Sequence, residues 1–532
     1  MRSPSLRSLA ALLALGFVPI VHAVPPLTPD GQVSTWSRIG QLLRRVMTRD
    51  ERCELGEEVV GGRVEPGARD VVVAVRKKAW EASVGGEELA RPHVRARLAG
   101  WPQRLVVDRD ELPATDHEFL LRLASDTWRG LEALTDREHL LPVDHIRLGA
   151  TAGEGLVGDY TNVTSVGLRL IAIVAASDLA FISRDTAADR LRALLAALEG
   201  LETYQGFFYN YYDTTSLERT SNFVSFVDSA WLTAGLIVVR NAFPELADGC
   251  SRLIDREDYR FFYDPELGRM SHGYYVHLGA RSRYHYGILY AESRLGSVIA
   301  IGKGDVPPAH WFRMVRTFSP SCTWQTQVPQ HRDARTIEGE RFFGGFYTWR
   351  GTRYVPSWGG SMFEALMPTL VLDELRMIPS SLGENDLAHA TVQRRFATEE
   401  LGYPVWGMSP SRMPGVDGYG EYGVKPLGTI GYGPGAVTPH ATALALAVTP
   451  DEATANLRAL ATRYDLYGEF GLYDAVDPVS GAVARAYLAL DQAMTLIALA
   501  NHLADHSIQR RFAADPIVQR ALPILTREHF FE

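Results

Sequence analysis

The 532-residue sequence has few cysteines and lacks the short motifs of several common enzyme classes. Its three cysteines, Cys53, Cys250 and Cys322, are widely spaced and form no CxxC pair, so at most one disulfide can form. HExxH and GxSxG are absent, which argues against a zinc protease and against a serine esterase. No group of His, Cys or carboxylates has the spacing of metal ligands. The sequence therefore predicts neither a metal site nor a cofactor.

The chain also lacks a run of positive charge and, beyond its start, a long apolar run. A net charge of −9 makes nucleic acid an unlikely partner for electrostatic reasons, so none is predicted. Residues 1–23 combine Arg2 and Arg7, an apolar segment, and Ala23 at an acceptable cleavage site. This pattern predicts a secretory signal, a periplasmic or secreted protein that begins at Val24, and no membrane span after cleavage. An uncleaved anchor is the alternative.

Helical periodicity is the strongest pattern in the rest of the chain. Hydrophobic residues make up 46% and charged residues 22%, which is typical of a globular protein with a sizeable core. The predicted helices are 116–134, 163–180, 185–201, 227–242, 286–301, 360–375, 385–401, 438–448, 450–464, 486–503 and 516–525. Strand-like sequence patterns are confined to short segments such as 261–263 and 353–355. Helices in such a succession favour an all-α toroid, with an irregular helical array as the alternative.

The segment 286–308 has an unusual charge pattern, YGILYAESRLGSVIAIGKGDVPP. Apolar residues follow helical spacing, so a mostly buried helix is predicted. Gly304 and Pro307 are expected to end this helix. Glu292 and Arg294 interrupt the apolar run near its start. Burying a Glu is costly unless it is paired or used. From the residues alone, Glu292 is either an ion-pair partner of a nearby cation or a functional acid.

The same segment carries a family resemblance. ESRLGSVIAIGKGDVPPAHW, at 292–311, resembles the EARLxSxIAIAKGDVPxxHW motif of glycoamylase-like domains. Those domains occur in cyclic β-1,2-glucan synthases, and related ones in bacterial endo-β-1,2-glucanases. SWGGSMFEALMPTL, at 357–370, extends the resemblance, which covers roughly 111–503. It implies an (α/α)6 barrel, placed at 114–532, with the site at one mouth of the barrel. The mixed, charged composition of the preceding segment predicts a small N-terminal extension at 24–113.

The resemblance implies a glycoside hydrolase that cleaves a neutral β-glucan, specifically β-1,2-glucan. Such cleavage needs two carboxylates, one of them protonated near neutral pH. Burial suits Glu292 to the role of general acid. The second carboxylate is either Asp491, as base on a water in an inverting enzyme, or Glu364, as nucleophile in a retaining hydrolase or transglycosylase. The Asp-Gln pair at 491–492 is similar to that of the hydrolases and favours Asp491. A non-catalytic glycan-binding protein remains open, because Ser221 and Ser225 stand where the endo-glucanases carry acids.

Aromatic and Gly-rich loops at 206–213, 341–351 and 418–437 are the predicted substrate-binding features. Aromatic rings on loops suit stacking against sugars, although core packing is the alternative for any single ring. The remaining candidates are acids and an amide that interrupt apolar helices or follow a YGxxGxYDAxD pattern. The predicted substrate-binding residues are Asp228, Tyr209, Tyr212, Trp349, Trp358, Gln492 and Glu469.

Overall fold

The computed structural model of the protein describes residues 92–532. The predicted signal, its cleavage site and most of the predicted extension 24–113 lie outside the described residues. The helices are α1 (Pro92–Arg97), α2 (Asp116–Ala133), α3 (Val163–Asp178), α4 (Arg184–Gly200), α5 (Phe226–Ala242), α6 (Ala247–Asp255), α7 (Arg294–Lys303), α8 (Ala309–Arg313), α9 (Met362–Leu366), α10 (Glu374–Met377), α11 (Glu384–Arg395), α12 (Pro439–Leu444), α13 (Pro450–Arg463), α14 (Ala489–Leu503), α15 (Ser507–Ala513) and α16 (Pro516–Leu525).

Polar caps explain where several helices begin. The side chains of Thr115, Asn162, Ser183 and Ser225 each accept a hydrogen bond from a backbone N–H in the first turn of α2, α3, α4 and α5. These bonds satisfy N–H groups that have no partner within the helix. The helices predicted at 116–134, 163–180, 185–201 and 227–242 are therefore confirmed, with ends that differ by one or two residues.

The helix predicted at 286–301 begins later than its apolar pattern indicates. The backbone N–H of Leu289 donates to the carbonyl of Val315, and that of Val315 donates to the carbonyl of Gly287. These bonds draw residues 287–289 into a pairing with a neighbouring segment, and α7 starts only at Arg294. Glu292 consequently lies in the turn before the helix. A similar break shortens the helix predicted at 360–375, where Pro368 follows α9.

Short strands connect the helices. Within residues 92–532 there are 23 strands of two to four residues, which pair antiparallel in ten small sheets. They are β1 (His145–Leu148), β2 (Gly155–Gly158), β3 (Tyr160–Asn162), β4 (Thr203–Tyr204), β5 (Phe207–Phe208), β6 (Tyr211–Asp213), β7 (Phe223–Ser225), β8 (Tyr263–Asp264), β9 (Arg269–Ser271), β10 (Gly273–Tyr275), β11 (Ala280–Arg281), β12 (His285–Tyr286), β13 (Ala334–Ile337), β14 (Glu340–Phe343), β15 (Tyr347–Trp349), β16 (Thr352–Tyr354), β17 (Ser411–Arg412), β18 (Tyr419–Gly420), β19 (Tyr467–Gly468), β20 (Gly471–Leu472), β21 (Ala475–Val476), β22 (Val483–Ala484) and β23 (Ala486–Leu488). The protein is mainly helical, and the expected all-α class omits these hairpins.

The most apolar helices are buried all round. Nearly every residue of α3, α5, α7 and α14 is buried, as expected for helices that are hydrophobic on every face. Helices α3 and α5 approach closely through glycine: a Cβ on Gly167 would lie 2.4 Å from the carbonyl oxygen of Trp231. A Cβ on Gly235 would meet the carbonyl oxygen of Gly167 at the same distance. No helix in the part of the chain that the structure describes is long and apolar enough to cross a membrane.

Candidate functional site

The candidate polar residues lie at the starts of the buried helices. Asp228, Glu364, His440 and Asp491 are in the first turns of α5, α9, α12 and α14, and Glu292 is in the turn before α7. Short strands or bridges precede these helices and bring their starts together. For example, Thr164 Oγ1 at the start of α3 donates to Asp228 Oδ1 at 2.8 Å.

Glu292 has the environment of a protonated acid. It is partly buried, in the turn between Ala291 and the first residue of α7. Burial, together with the nearby charges of Glu364 and Asp228, raises the pKa of Glu292 to about 7, against the opposing effect of Arg294. Near neutral pH this carboxyl group can therefore both give and take a proton.

Glu364 accepts hydrogen bonds from four donor groups. It is 8% exposed, and its Oε2 accepts hydrogen bonds from Ser357 Oγ at 3.0 Å and from Ser361 N and Oγ at 3.0 and 2.9 Å. The Gly359 N–H donates to Oε1 at 3.0 Å. Burial raises the pKa of Glu364 above its ordinary value, and these hydrogen bonds reduce that rise because they favour the charged form. Glu364 also completes a capping box with Ser361 at the start of α9.

Arg294 connects the backbones that carry the two glutamates. Its guanidinium is fully buried and donates to the carbonyl oxygens of Ala291 at 3.1 Å, Glu364 at 3.3 Å and Ala365 at 2.6 Å. It also forms a two-point ion pair with Glu374, at 2.8 and 2.6 Å. The closest ion-pair partner of Arg294 is thus Glu374 and not Glu292.

A loop that includes Tyr432 lies beside Glu364. The Tyr432 N–H donates to the carbonyl of Gly359 at 2.8 Å, and a Cβ on Gly359 would lie 2.0 Å from the Tyr432 ring. Burial raises the pKa of Tyr432, and the charges of Glu364, Glu421 and Glu292 raise it further. Tyr432 and Glu421 are missed as individual residues by sequence reasoning, although both lie in the predicted loop 418–437. The glycines of that loop were the sequence feature that could have indicated a role for these two residues.

Trp358 flanks the same site. It is partly exposed and follows Ser357, one of the donors to Glu364. Its ring packs against Trp324, with centroids 6.2 Å apart. The carbonyl of Trp358 accepts a hydrogen bond from the N–H of Ile430 at 3.0 Å, which joins its segment to the Tyr432 loop.

Asp491 belongs to a different group of residues. It lies 3.5 Å from His440 Nδ1, measured from Oδ2. Burial raises the pKa of Asp491 well above its usual range, and Asp474 and Asp144 add to the effect. Burial also raises the pKa of Asp474 and lowers that of His440 to about 3. The charges of Glu364, Arg294 and Asp228 shift the pKa of Glu292, and Asp491 is not among the principal causes of that shift.

Several other predicted substrate-binding residues are buried and contact neighbouring parts of the protein. Tyr212 is fully buried, with its hydroxyl donating to the Glu202 carbonyl at 2.6 Å, and Tyr209 is 2% exposed. Little of either side chain is exposed, which favours packing for both rings. Gln492 is buried and donates to the Leu472 carbonyl at 3.0 Å.

Trp349 and Glu469 also make contacts away from the two glutamates. The Trp349 ring lies 6.0 Å from that of Phe396 and packs against Arg350 and Arg395. Glu469 accepts hydrogen bonds from the backbone N–H groups of Gln103 and Arg104. Glu469 therefore holds the segment that precedes α2, which is a structural use of this acid.

Comparison with known proteins gives one family match and one curated relative. Residues 331–516 match the Glycoamylase family model. The matched stretch begins downstream of Glu292. The cyclic β-(1,2)-glucan synthase NdvB of Rhizobium meliloti is 31% identical over 284 residues, or 50% of this chain. The chain spans only 9% of the length of that relative.

Solved structures with the same fold include three glucanases. The endo-β-1,2-glucanase of Chitinophaga pinensis is 16% identical, with a TM-score of 0.59 over 78% of this chain and 98% of its own. The β-1,2-glucanase of Parabacteroides distasonis has 17% identity and a TM-score of 0.62, over 78% of this chain and 61% of its own. The enzyme of Talaromyces funiculosus, solved with sophorose, has 13% identity and a TM-score of 0.56 over 80% and 92%. The resemblance to glycoamylase-like domains is therefore confirmed: residues 331–516 carry the match, and the described chain shares the fold of these glucanases.

Proposed function

We propose that the chain is a glycoside hydrolase that cleaves β-1,2-glucan, with Glu292 as the general acid and Glu364 as the nucleophile. The observation that carries this proposal is the contrast between two neighbouring carboxylates. Glu292 has a pKa of about 7 and is protonated in part at neutral pH. Glu364 accepts several hydrogen bonds that favour its charged form. Two carboxyl groups in opposite protonation states are what glycosidic cleavage requires.

The proposed reaction has two steps. In the first, Glu292 gives its proton to the glycosidic oxygen as the C1–O bond breaks, and the Glu364 carboxylate forms a bond to C1. In the second, water attacks C1, the Glu292 carboxylate takes a proton from that water, and Glu364 leaves as a carboxylate. Glu364 Oε1 is the less engaged oxygen, since most of the hydrogen bonds are to Oε2. It is therefore the proposed attacking atom.

Asp491 suits the role of second carboxylate less well. A base that activates water must be deprotonated at working pH. The pKa of Asp491 is raised well above its usual range by burial and by Asp474. We therefore prefer the retaining route through Glu364 to the inverting route that the Asp-Gln pair indicated. Asp228, which is partly exposed and close to Glu292, is retained as a substrate-binding residue.

The choice of β-1,2-glucan rests on the comparisons. The relative that is 31% identical over 284 residues is named as a cyclic β-(1,2)-glucan synthase, and solved neighbours are named as β-1,2-glucanases. No residue contact identifies the linkage. A covalent glycosyl intermediate can also be transferred to a sugar hydroxyl, and the synthase relative makes transglycosylation the second candidate. Export to the periplasm or the medium remains a prediction from residues 1–23.

We also propose that the helices form an (α/α)6 barrel. Supporting contacts join α3 to α5, α5 to α7, α9 to α12, α12 to α14, and α14 back to α3. Arg294 on α7 donates to carbonyls of α9 and supplies the remaining link. Outer helices α4, α6, α16, α11, α13 and α2 pack against α3, α5, α7, α9, α12 and α14 in turn. Six helices that contact in a cycle, each backed by another, are consistent with such a barrel.

The anomeric form of the first product tests the mechanism. A retaining enzyme should release the β-anomer first from a β-linked glucan, and ¹H NMR of the early reaction distinguishes it from the α-anomer. Glu364→Gln should lose nearly all turnover, because an amide is a poor nucleophile. Glu399→Gln, in an exposed pair with Arg395, is the matched control and should keep its activity. An initial α-anomer would instead support an inverting enzyme, with Asp491 or Asp228 as the base.

Product sizing separates the candidate activities. Shorter linear glucans from a linear β-1,2-glucan would support the hydrolase, and cyclic or longer products would support the transglycosylase. Absence of any product from linear or cyclic substrate, by a folded protein, would favour the non-catalytic glycan-binding alternative.

Trp358→Ala should weaken substrate binding. The ring is partly exposed beside the donors to Glu364 and is therefore available to stack on a sugar. Loss of a stacked ring costs about 1 kcal/mol, which corresponds to a rise of about fivefold in KM. Trp349→Ala is the matched control, since Trp349 packs on Phe396. Equal KM changes in the two variants would assign Trp358 to packing alone.

A further inference from the structure

Three buried side chains from separate segments meet outside the proposed catalytic pair. They are His440 at the start of α12, Asp474 between β20 and β21, and Asp491 at the start of α14. Their ligand-type atoms all lie within 4.8 Å of one another, and each residue is 3% exposed or less. The sequence predicts no metal site because these residues are far apart in the chain and form no local motif.

While both carboxyl groups are charged, each of the three side chains presents an atom that has no hydrogen-bond partner among the described residues. The atoms are His440 Nδ1, Asp474 Oδ1 and Asp491 Oδ2. Buried polar atoms are rarely left in this state, because burial without a partner costs free energy. His440 Nδ1 and Asp491 Oδ2 are 3.5 Å apart. Two lone pairs that face each other repel unless a proton or a metal cation lies between them.

We infer that His440, Asp474 and Asp491 bind a divalent transition-metal ion, zinc in the first instance, through Nδ1, Oδ1 and Oδ2. Imidazole and carboxylate groups are established zinc ligands, with bond lengths of about 2.0–2.2 Å. Tetrahedral ligands at those lengths stand about 3.3–3.6 Å apart. The 3.5 Å separation of the His440 and Asp491 atoms matches this spacing. Two carboxylates and a neutral imidazole also compensate the charge of a divalent cation.

The surroundings orient two of the ligands. Asp474 Oδ2 accepts a hydrogen bond from the Arg412 N–H at 2.6 Å, which fixes the position of this carboxyl group. His440 Nε2 lies 3.5 Å from Thr438 Oγ1. A proton on Nε2 would leave Nδ1 with the lone pair that a metal requires. The ion would join α12, α14 and the β20–β21 connection, and would therefore stabilise the folded protein.

Metal titration of the full-length protein tests this site without reference to catalysis. Protein freed of metal with EDTA is titrated with Zn²⁺ and, separately, with Co²⁺. We expect about one equivalent of zinc per chain by mass spectrometry, a visible Co²⁺ absorption band, and a rise in Tm on addition of either ion. Asp474→Asn and His440→Ala should each weaken Co²⁺ binding by more than about 100-fold, since each removes a direct ligand.

His389→Ala is the matched control. His389 is also fully buried with a partnerless Nδ1, but its Nε2 is hydrogen bonded to the Val355 carbonyl and it lies outside the cluster. This variant should bind Co²⁺ as the unmodified protein does. Equal binding by His440→Ala and the unmodified protein would show an adventitious site elsewhere. No binding and no Tm shift in the unmodified protein would overturn the inference and leave Asp474 and Asp491 sharing a proton.

Discussion

Glu292→Gln is expected to lower kcat for glucan cleavage by about 10²–10⁴-fold, the range for removal of a general acid. The amide has nearly the same shape as the protonated carboxyl group but cannot donate its proton to the glycosidic oxygen. The measurement is turnover of a natural glucan by variant and unmodified protein at equal concentrations of folded enzyme. Glu399→Gln provides the control for a Glu-to-Gln change at an exposed ion pair.

The leaving group provides a sharper test of the same role. An aryl glucoside with a strongly acidic phenol needs little protonation as it departs. Glu292→Gln should therefore lose much less activity on this substrate in the first step than on a glucan. Equal losses on both substrates would argue that the substitution disturbs the site in general and would remove Glu292 from the role of acid.

The pH profile follows from the raised pKa. Glu292 must be protonated to act as an acid, and its pKa is about 7, so kcat/KM should fall as the pH rises above about 7. Glu292→Gln should lack this descending limb. A profile that stays flat to pH 9 in the unmodified protein would contradict the assignment.

The Glu292→Gln substitution should raise the stability of the protein although it lowers the activity. The folded pKa of about 7 lies above the ordinary value of 4.5, so folding favours the protonated form of Glu292. Stability from this group is complete below pH 4.5 and is lost as the pH rises through 7. A glutamine does not titrate, so Glu292→Gln should gain Tm relative to the unmodified protein between pH 4 and pH 8. If Glu292 were a structural ion-pair partner, the variant would lose Tm instead.

Local patterns predicted the helices well, because apolar spacing and polar caps act over a few residues. Asn162 and Ser225 cap α3 and α5 where the sequence placed their starts. The start of α7 was missed, because residues 287–289 bond to the segment around Val315, which no local pattern reveals. The GKGDVP motif has a structural use: Gly304, at φ 81°, ends α7.

Side-chain partners were predicted less well, because they depend on contacts between distant segments. Arg294 is close to Glu292 in sequence, yet its ion-pair partners are Glu374 at 2.6 Å and Asp386 at 3.6 Å. Asp491 was favoured as a catalytic base from its neighbour Gln492, but His440 and Asp474 surround it. Burial could be inferred for all of these residues from their apolar context. Which buried charge meets which other one could not.

Arg294→Met should be the most destabilising single substitution around the site, at about 3–5 kcal/mol in the free energy of unfolding. Arg294 and Glu374 are both fully buried, so the substitution leaves the Glu374 carboxylate without its cation. It also removes donors from the carbonyls of Ala291 and Ala365. The midpoint of urea unfolding, with its slope, measures the loss. Arg395→Met is the control, because its partly exposed pair with Glu399 contributes only about 0.3–0.5 kcal/mol.

A second substitution separates the buried charge from the lost packing. If the uncompensated Glu374 carboxylate causes most of the instability, Arg294→Met combined with Glu374→Gln should be more stable than Arg294→Met alone. Where the double variant is folded, kcat should still be reduced and KM nearly unchanged, because the guanidinium fixes the backbones that carry Glu292 and Glu364. Arg294→Lys keeps the charge but cannot reach the carbonyls and Glu374 together, so it should retain more stability than Arg294→Met and still lose kcat. Full activity in a folded Arg294→Lys protein would mean that the two glutamates hold their positions without this contact.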